Sequence, residues 1–277
     1  MPTHALDSGL RQGLVGLGLA LSDAQVQQLL DYLDLVQKWT KVYNLTAVRD
    51  PAEMLTHHLL DSLAAVRPLD QQLETLGLAH KAVRLLDVGS GAGLPGIVIA
   101  VCRPDITVHC VDTVAKKAAF IQQVAVSLKL PNLRGLHARV ESLTDRYDVV
   151  SSRAFASLVD FTIWSGGALA GQGVWMAMKG KHPADEIAVL PASVEVFHVE
   201  QLKVPGLDAE RCIVWMRRGG LILDCLGWGI GRVTRSAGSP RRAAERAPSG
   251  AGTWEIQREC LVGAGPASGV GCAFCAR

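Results

Sequence analysis

The stretch "LLDVGSGAGLPGIVIA", residues 85–100, sets Asp87 ahead of Gly89, Gly91 and Gly93 in a D-x-G-x-G-x-G pattern. A G-x-G-x-x-G match at Gly91, Gly93 and Gly96 overlaps it. Glycines so spaced let a backbone turn sharply and come close to a ligand, and the helix that follows offers free N–H groups. Asp112 stands 21 residues beyond Gly91. An acid there can accept hydrogen bonds from both hydroxyls of an adenosine ribose, as in dinucleotide-binding folds. NAD and S-adenosylmethionine both carry that ribose, so Asp112 leaves both ligands open.

Other residues separate the two. Asp87, just before the glycines, suits a ligand with a cationic centre and an amino group, as in the sulfonium and amine of S-adenosylmethionine. Val140 and Glu141 pair an apolar side chain with a polar one, able to flank an adenine. Arg153 and Phe155 in "SSRAFASL" suit a planar, electron-rich target through stacking and cation–π contact. His57 and His58 are adjacent on an expected helix, so they point about 100° apart and make no shared metal face; they read as surface or capping histidines. A lone CxxC, Cys272 and Cys275, has no second pair for zinc. No metal site is expected.

These residues need strand ends to carry them, and the chain supplies a strand-then-helix rhythm. Strands are expected at "AVRLLDV", "ITVHCVD", "RGLHARV", "YDVVSS" and "GVWMAMK", with "SVEVFHVE" and "RCIVWM" pairing as the last two. Helices are expected from about Leu94, through "VAKKAAFIQQVAVSLKL", and from about Ser157 to Ala170. Such alternation predicts an α/β fold with a mainly parallel, doubly wound sheet whose strand C-termini form one ligand edge. Before it, Ser22 and Gln25 form a capping box for a helix carrying Val26, Leu29, Leu30, Leu33 and Val36. Asp50, Pro51 and Glu53 open a second helix, with Met54, Leu55, Leu59, Leu60 and Leu63 toward the core.

Composition agrees with a globular protein: of 277 residues, 49% are hydrophobic and 19% charged. Seven scattered cysteines read as reduced thiols of a cytoplasmic protein. The apolar run "GLVGLGLAL" falls short of the roughly 20 residues that span a bilayer. Charge is uneven. Residues 217–277 hold nine arginines, no lysine and four acids, a balance of +5, against a total of +2, so residues 1–216 stand at −3. This glycine-rich tail shows no apolar period and reads as a disordered or non-native extension, with an arginine-rich, RNA-binding arm as the alternative.

"KWTKVYNLTAVRDPAEMLTHHLLDSL", "LLDVGSGAGLPGIVIAVCRPD", "VDTVAKKAAFIQQV", "HARVESL", "VVSSRAFASL" and "MAMKG" together resemble one bacterial family, in order from about Leu21 to Arg217. It is the small-subunit ribosomal RNA guanine-N7 methyltransferases, also called glucose-inhibited division protein B. The resemblance implies a class I Rossmann-like methyltransferase with a helical N-terminal extension (1–70), a methyltransferase domain (80–217) and an atypical tail (218–277). It implies S-adenosyl-L-methionine as cofactor and 16S ribosomal RNA of the small subunit as substrate. By that likeness Gly89, Leu94, Val140, Glu141 and Arg153 take cofactor-site roles, joined here by Asp87, Gly91 and Asp112. Arg139 and Lys179 become rim residues for RNA or active-site contact. His57 stands where family members usually show arginine, and Lys117 and Ala119 replace two arginines of "LGKRVRFL".

The implied chemistry is sparse. Guanine N7 offers a lone pair and carries no proton, so an in-line methyl transfer needs positioning rather than a general base. Arg153 is the expected catalytic residue, orienting the base or a phosphate, while Lys116, Lys117, Arg139 and Lys179 are the expected RNA contacts. A cytoplasmic monomer without membrane contact is expected. Two alternatives stand beside this reading: a NAD-dependent oxidoreductase, and a non-catalytic RNA-binding or ribosome-assembly factor.

Overall fold

The computed structural model describes residues 4–219, so the arginine-rich tail and the Cys272–Cys275 pair lie outside the described residues. The chain begins with helices α1 (Asp7–Leu17) and α2 (Asp23–Tyr43). Both halves of the expected capping box form at α2: Gln25 N–H donates to Ser22 Oγ, and Ser22 N–H donates to Gln25 Oε1. All five expected apolar positions of α2 are buried. The Asp50 carboxylate accepts from Ala52 N–H at 2.9 Å and Glu53 N–H at 3.0 Å, starting α3 (Pro51–Met54) as expected.

Here the structure departs from one continuous α-helix. Residues Leu55–Leu60 make a wide π-type turn before α4 (Asp61–Leu63), and α5 (Val66–Thr75) follows. The wider turn resets the helical phase, so Leu59, Leu60 and Leu63 stay in the core while His58 and Asp61 turn inward as well. His58 is therefore not a surface histidine: it is 8% exposed, with Nε2 2.8 Å from Thr46 Oγ1. His57 remains exposed.

The sheet has seven strands in the order β3-β2-β1-β4-β5-β7-β6. Its first half runs β1 (Arg84–Val88), α6 (Gly96–Cys102), β2 (Thr107–Asp112), α7 (Ala115–Ser127) and β3 (Leu133–His137). Its second half runs β4 (Tyr147–Arg153), α8 (Leu158–Ser165), β5 (Leu169–Lys179), α9 (Ala184–Ala188), β6 (Val194–Leu202) and β7 (Arg211–Arg218). Strands β1 to β5 pair in parallel, while β7 pairs antiparallel with both β5 and β6. This is the expected mainly parallel Rossmann-like sheet, closed by a hairpin.

Side chains alternate across the sheet: Leu85 enters the core shared with α1, α2 and α6, and Leu86 enters the core under α8. Two boundaries differ from expectation. β3 ends at His137, one last backbone bond joins Ala138 N–H to Asp112 C=O at 3.3 Å, and Val140–Ser142 then form a short 3-10 turn. α8 gives way at Gly166 and Gly167, so β5 starts at Leu169 rather than Gly173.

Candidate functional site

The order of the strands reverses between β1 and β4, and their C-terminal ends open onto two cavities. One, of about 600 Å³, lies over β1, β2 and β3. The other, of about 540 Å³, lies over β1, β4, β5 and the start of β7, roofed by residues of the helical extension. Gly89 and Ala154 line both, so the two adjoin at the β1 and β4 ends.

The glycine loop is held from several directions. Gly89 N–H donates to Val111 C=O at 2.9 Å, and Gly91 N–H to Asp112 Oδ2 at 3.1 Å. The buried Tyr32 hydroxyl donates to Ala92 C=O at 2.9 Å, which ties α2 to the loop. Gly89 has a φ of +64°, and a Cβ on it would run into the Phe155 ring. Position 89 is therefore glycine both for its backbone angle and for the Phe155 ring that packs on it.

Asp87 is placed differently from the expected ligand contact. It is 0% exposed, accepts from Ser151 Oγ at 2.9 Å and Gly96 N–H at 3.2 Å, and lines neither cavity. Burial, opposed by those two hydrogen bonds, pushes its carboxyl up to about 7. Asp87 braces the loop and the first turn of α6 from below. The reason is strand alternation, which turns its side chain under the loop, toward α6 and Cys110.

The β2-side cavity gathers Asp112, Lys117, Arg139, Val140 and Glu141. Asp112 Oδ1 accepts from Val114 N–H at 2.9 Å, and Lys117 Nζ lies 3.6 Å from Oδ2. Each carboxylate oxygen keeps further acceptor capacity. Val88, Val111 and Val140 give an apolar floor, and Phe155 with Trp164, 5.8 Å apart edge to face, form one wall. An apolar slot beside a carboxylate suits a nucleoside. Lys116 is exposed and lines neither cavity.

The β5-side cavity gathers Gly91, Leu94, Arg153 and Lys179, together with residues that sequence reasoning did not single out. Asp61, with its side chain 5% exposed, accepts from Arg153 Nη1 and from Arg211 Nε, each at 2.8 Å. Arg153 Nη1 also donates to His57 C=O at 3.0 Å. Lys179 Nζ is engaged by both oxygens of Glu186 and by Ala156 C=O, so its protons point away from the open space. Burial, and then the charge of Arg153, hold His58 below the ordinary histidine range, leaving a neutral imidazole at pH 7. His58 Nδ1 and Ser90 Oγ are buried without a partner among the described residues, and both residues border this cavity.

The missed residues carried faint signals. Asp61 is a single acid on an otherwise apolar helix segment, and a buried acid needs a partner. Nothing local marks Arg211 or Tyr32. Among the described residues no group of three His, Cys, Asp or Glu is close enough to hold a metal ion.

Three likenesses bear on this site. The model of the GidB family, described as rRNA small subunit methyltransferase G, matches residues 25–214. A Ribosomal RNA small subunit methyltransferase G of Polaromonas sp. JS666 is 72% identical over 211 residues, covering 76% of this chain and 93% of its own. The protein of the same name from Acidovorax ebreus is 67% identical over 216 residues, covering 77% of this chain and 96% of its own.

Proposed function

The chain belongs to the GidB family of small-subunit rRNA methyltransferases, and from that premise we propose that its two adjoining cavities seat S-adenosylmethionine beside one guanine of 16S ribosomal RNA, whose N7 receives the methyl group. It is an S-adenosylmethionine-dependent rRNA methyltransferase. The oxidoreductase and the non-catalytic scaffold find no support among its relatives.

One observation carries the residue-level reading: an apolar slot bordered by Asp112 adjoins, at Gly89 and Ala154, a chamber bordered by Arg153. Bound there, S-adenosylmethionine supplies an electrophilic methyl group. Asp112 accepts from the ribose hydroxyls, and Val140 and Glu141 flank the adenine. Gly89, Gly91 and Leu94 form the floor under the remainder of the cofactor, with Asp87 supporting them from beneath. Arg153, anchored by Asp61 and the His57 carbonyl, touches the cofactor and orients the guanine or its phosphate. Since N7 carries no proton, no side chain has to remove one, and positioning does most of the catalytic work. Neutral His58 adds no positive charge where the guanine ring gains some.

Lys117 and Arg139 at the rim face RNA phosphates, and Lys179 joins them once RNA competes for its ammonium. Among the described residues no helix is long and apolar enough to cross a membrane. The protein works as a monomer in the cytoplasm, where ribosomal subunits mature.

Calorimetric titration with S-adenosylmethionine and with NAD tests the cofactor, and transfer of labelled methyl to 16S RNA or small subunits tests the reaction. S-adenosylmethionine is expected to bind and NAD not to. Arg153→Ala is expected to lower kcat/KM by about a hundredfold or more while the circular dichroism spectrum is retained. Binding of NAD alone, or near-normal turnover of Arg153→Ala, would sink the respective assignment.

A further inference from the structure

The bridge of Asp61 to two arginines is not explained by cofactor binding alone. Arg153 and Arg211 share one carboxylate, and Lys179 is balanced by Glu186, so among the described residues the β5-side chamber keeps one uncompensated positive charge. Arg211 spends Nε on Asp61 and Nη1 on Glu210 C=O, while its Nη2 has no partner among the described residues. Its side chain is 24% exposed and borders the chamber.

Position in the sheet separates the two arginines. Arg153 ends β4, next to β1 and its glycine loop. Arg211 starts β7, beyond β5 and three strands from β1, about 14 Å along the sheet at the usual strand spacing. A cofactor seated over β2, β1 and β4 leaves Arg211 on the acceptor side. A planar guanidinium with a free edge, in a chamber of net positive charge, suits an oxyanion.

We infer that Arg211 is a phosphate-binding residue for the RNA strand that presents the target guanine, and that Asp61 is a positioning residue linking it to Arg153. The inference rests on the rRNA methyltransferase reading above. Asp61 lies on the helical extension, 92 residues from Arg153 and 150 from Arg211. The extension thereby fastens the acceptor-side cation to the cofactor-side one, so the strand and the methyl donor are held in a single register.

The test uses the full chain, with small ribosomal subunits from cells lacking this enzyme and transcribed 16S RNA as substrates. It reads kcat and KM over a range of KCl, and S-adenosylmethionine affinity by calorimetry. Arg211→Ala leaves Asp61 paired with Arg153, so the fold should persist; should it not, Arg211→Gln, which keeps a donor but no charge, carries the same expectation. The RNA KM should rise about tenfold, the worth of one charge-assisted hydrogen bond, and the slope of log affinity against log salt should shrink by about 0.7. Arg211→Lys should restore that slope, and cofactor affinity should hold within a factor of about two in every Arg211 variant. Asp61→Asn should weaken both RNA and cofactor, since both arginines lose their anchor. Loss of cofactor affinity with RNA constants unchanged would assign the anion to the cofactor's own carboxylate and overturn the inference, as would no change in either. Failure of the wild type to methylate either substrate would instead overturn the function on which the inference rests.

Discussion

The two cavities are built from different kinds of sequence. The β2-side cavity is lined entirely between Val88 and Trp164, by the ends of β1 and β2, the turns that follow β1 to β4 and the helices α7 and α8. The β5-side cavity draws on residues 45–61, the glycine loop, Arg153, the end of β5 and Arg211. The first repeats one structural unit, strand then turn, and each turn brings its own ligand contact. The second exists only where the helical extension closes over the sheet. On the proposed assignment, cofactor recognition is local in the chain, and acceptor recognition is assembled from distant pieces.

Gly89 is shared by both cavities. Gly89→Ala puts a Cβ into the Phe155 ring at a φ of +64°. Calorimetry should show cofactor affinity falling about a hundredfold or more, because the ring must swing into one cavity or the other. Phe155→Ala in the same chain should recover part of the loss by removing the collision. If Gly89→Ala weakens RNA binding and spares the cofactor, the two cavities are not one elongated site.

The support beneath the loop gives the next effect. Burial raises the Asp87 carboxyl to about 7, so the folded chain holds that proton to higher pH than the unfolded chain does. From near pH 4 to near pH 7 the folded state binds more protons, and Asp87 lowers stability as pH rises, by at most about 1.4 kcal/mol per pH unit. Its contribution is fully present below the ordinary carboxyl pKa and is lost as pH passes through 7. Asp87→Asn, neutral at every pH, should remove that slope from urea-denaturation free energies while keeping partners for Gly96 N–H and Ser151 Oγ. A variant with the wild-type slope would show that the carboxyl is ionised in the fold.

That contrast also explains what could be read from the chain. The sheet, its hairpin close and the placement of Asp112, Val140 and Glu141 follow from period-two apolar strands and turn residues, both local signals. Asp87 lies beneath the loop and lines neither cavity, which the sequence does not reveal because strand periodicity says which face a residue takes, and not what the next helix puts there. The π-type turn at Leu55–Leu60 has no signature in the sequence, because apolar spacing at Leu55, Leu59, Leu60 and Leu63 fits an α-helix equally well. Asp61 and Arg211 needed a pairing across 150 residues, to which no local pattern points.

The smallest effect discriminates among the basic residues of the β2 side. Arg139 is exposed at the cavity rim, and its guanidinium has no ion-pair partner among the described residues. Lys117 borders the same cavity but lies 3.6 Å from Asp112, which absorbs part of its field. Lys116 points outside both cavities, although sequence alone ranks it with its neighbour. If RNA follows the rim, the salt slope of RNA affinity should shrink by about 0.7 in Arg139→Ala, by less in Lys117→Ala, and not measurably in Lys116→Ala. Releasing Asp112 from Lys117 adds a second signature, a modest change in cofactor affinity that Arg139→Ala lacks. Equal slopes for all three variants would mean that the strand crosses α7 broadly rather than entering at the rim, and the β2 side would then be no less an RNA surface than the β5 side.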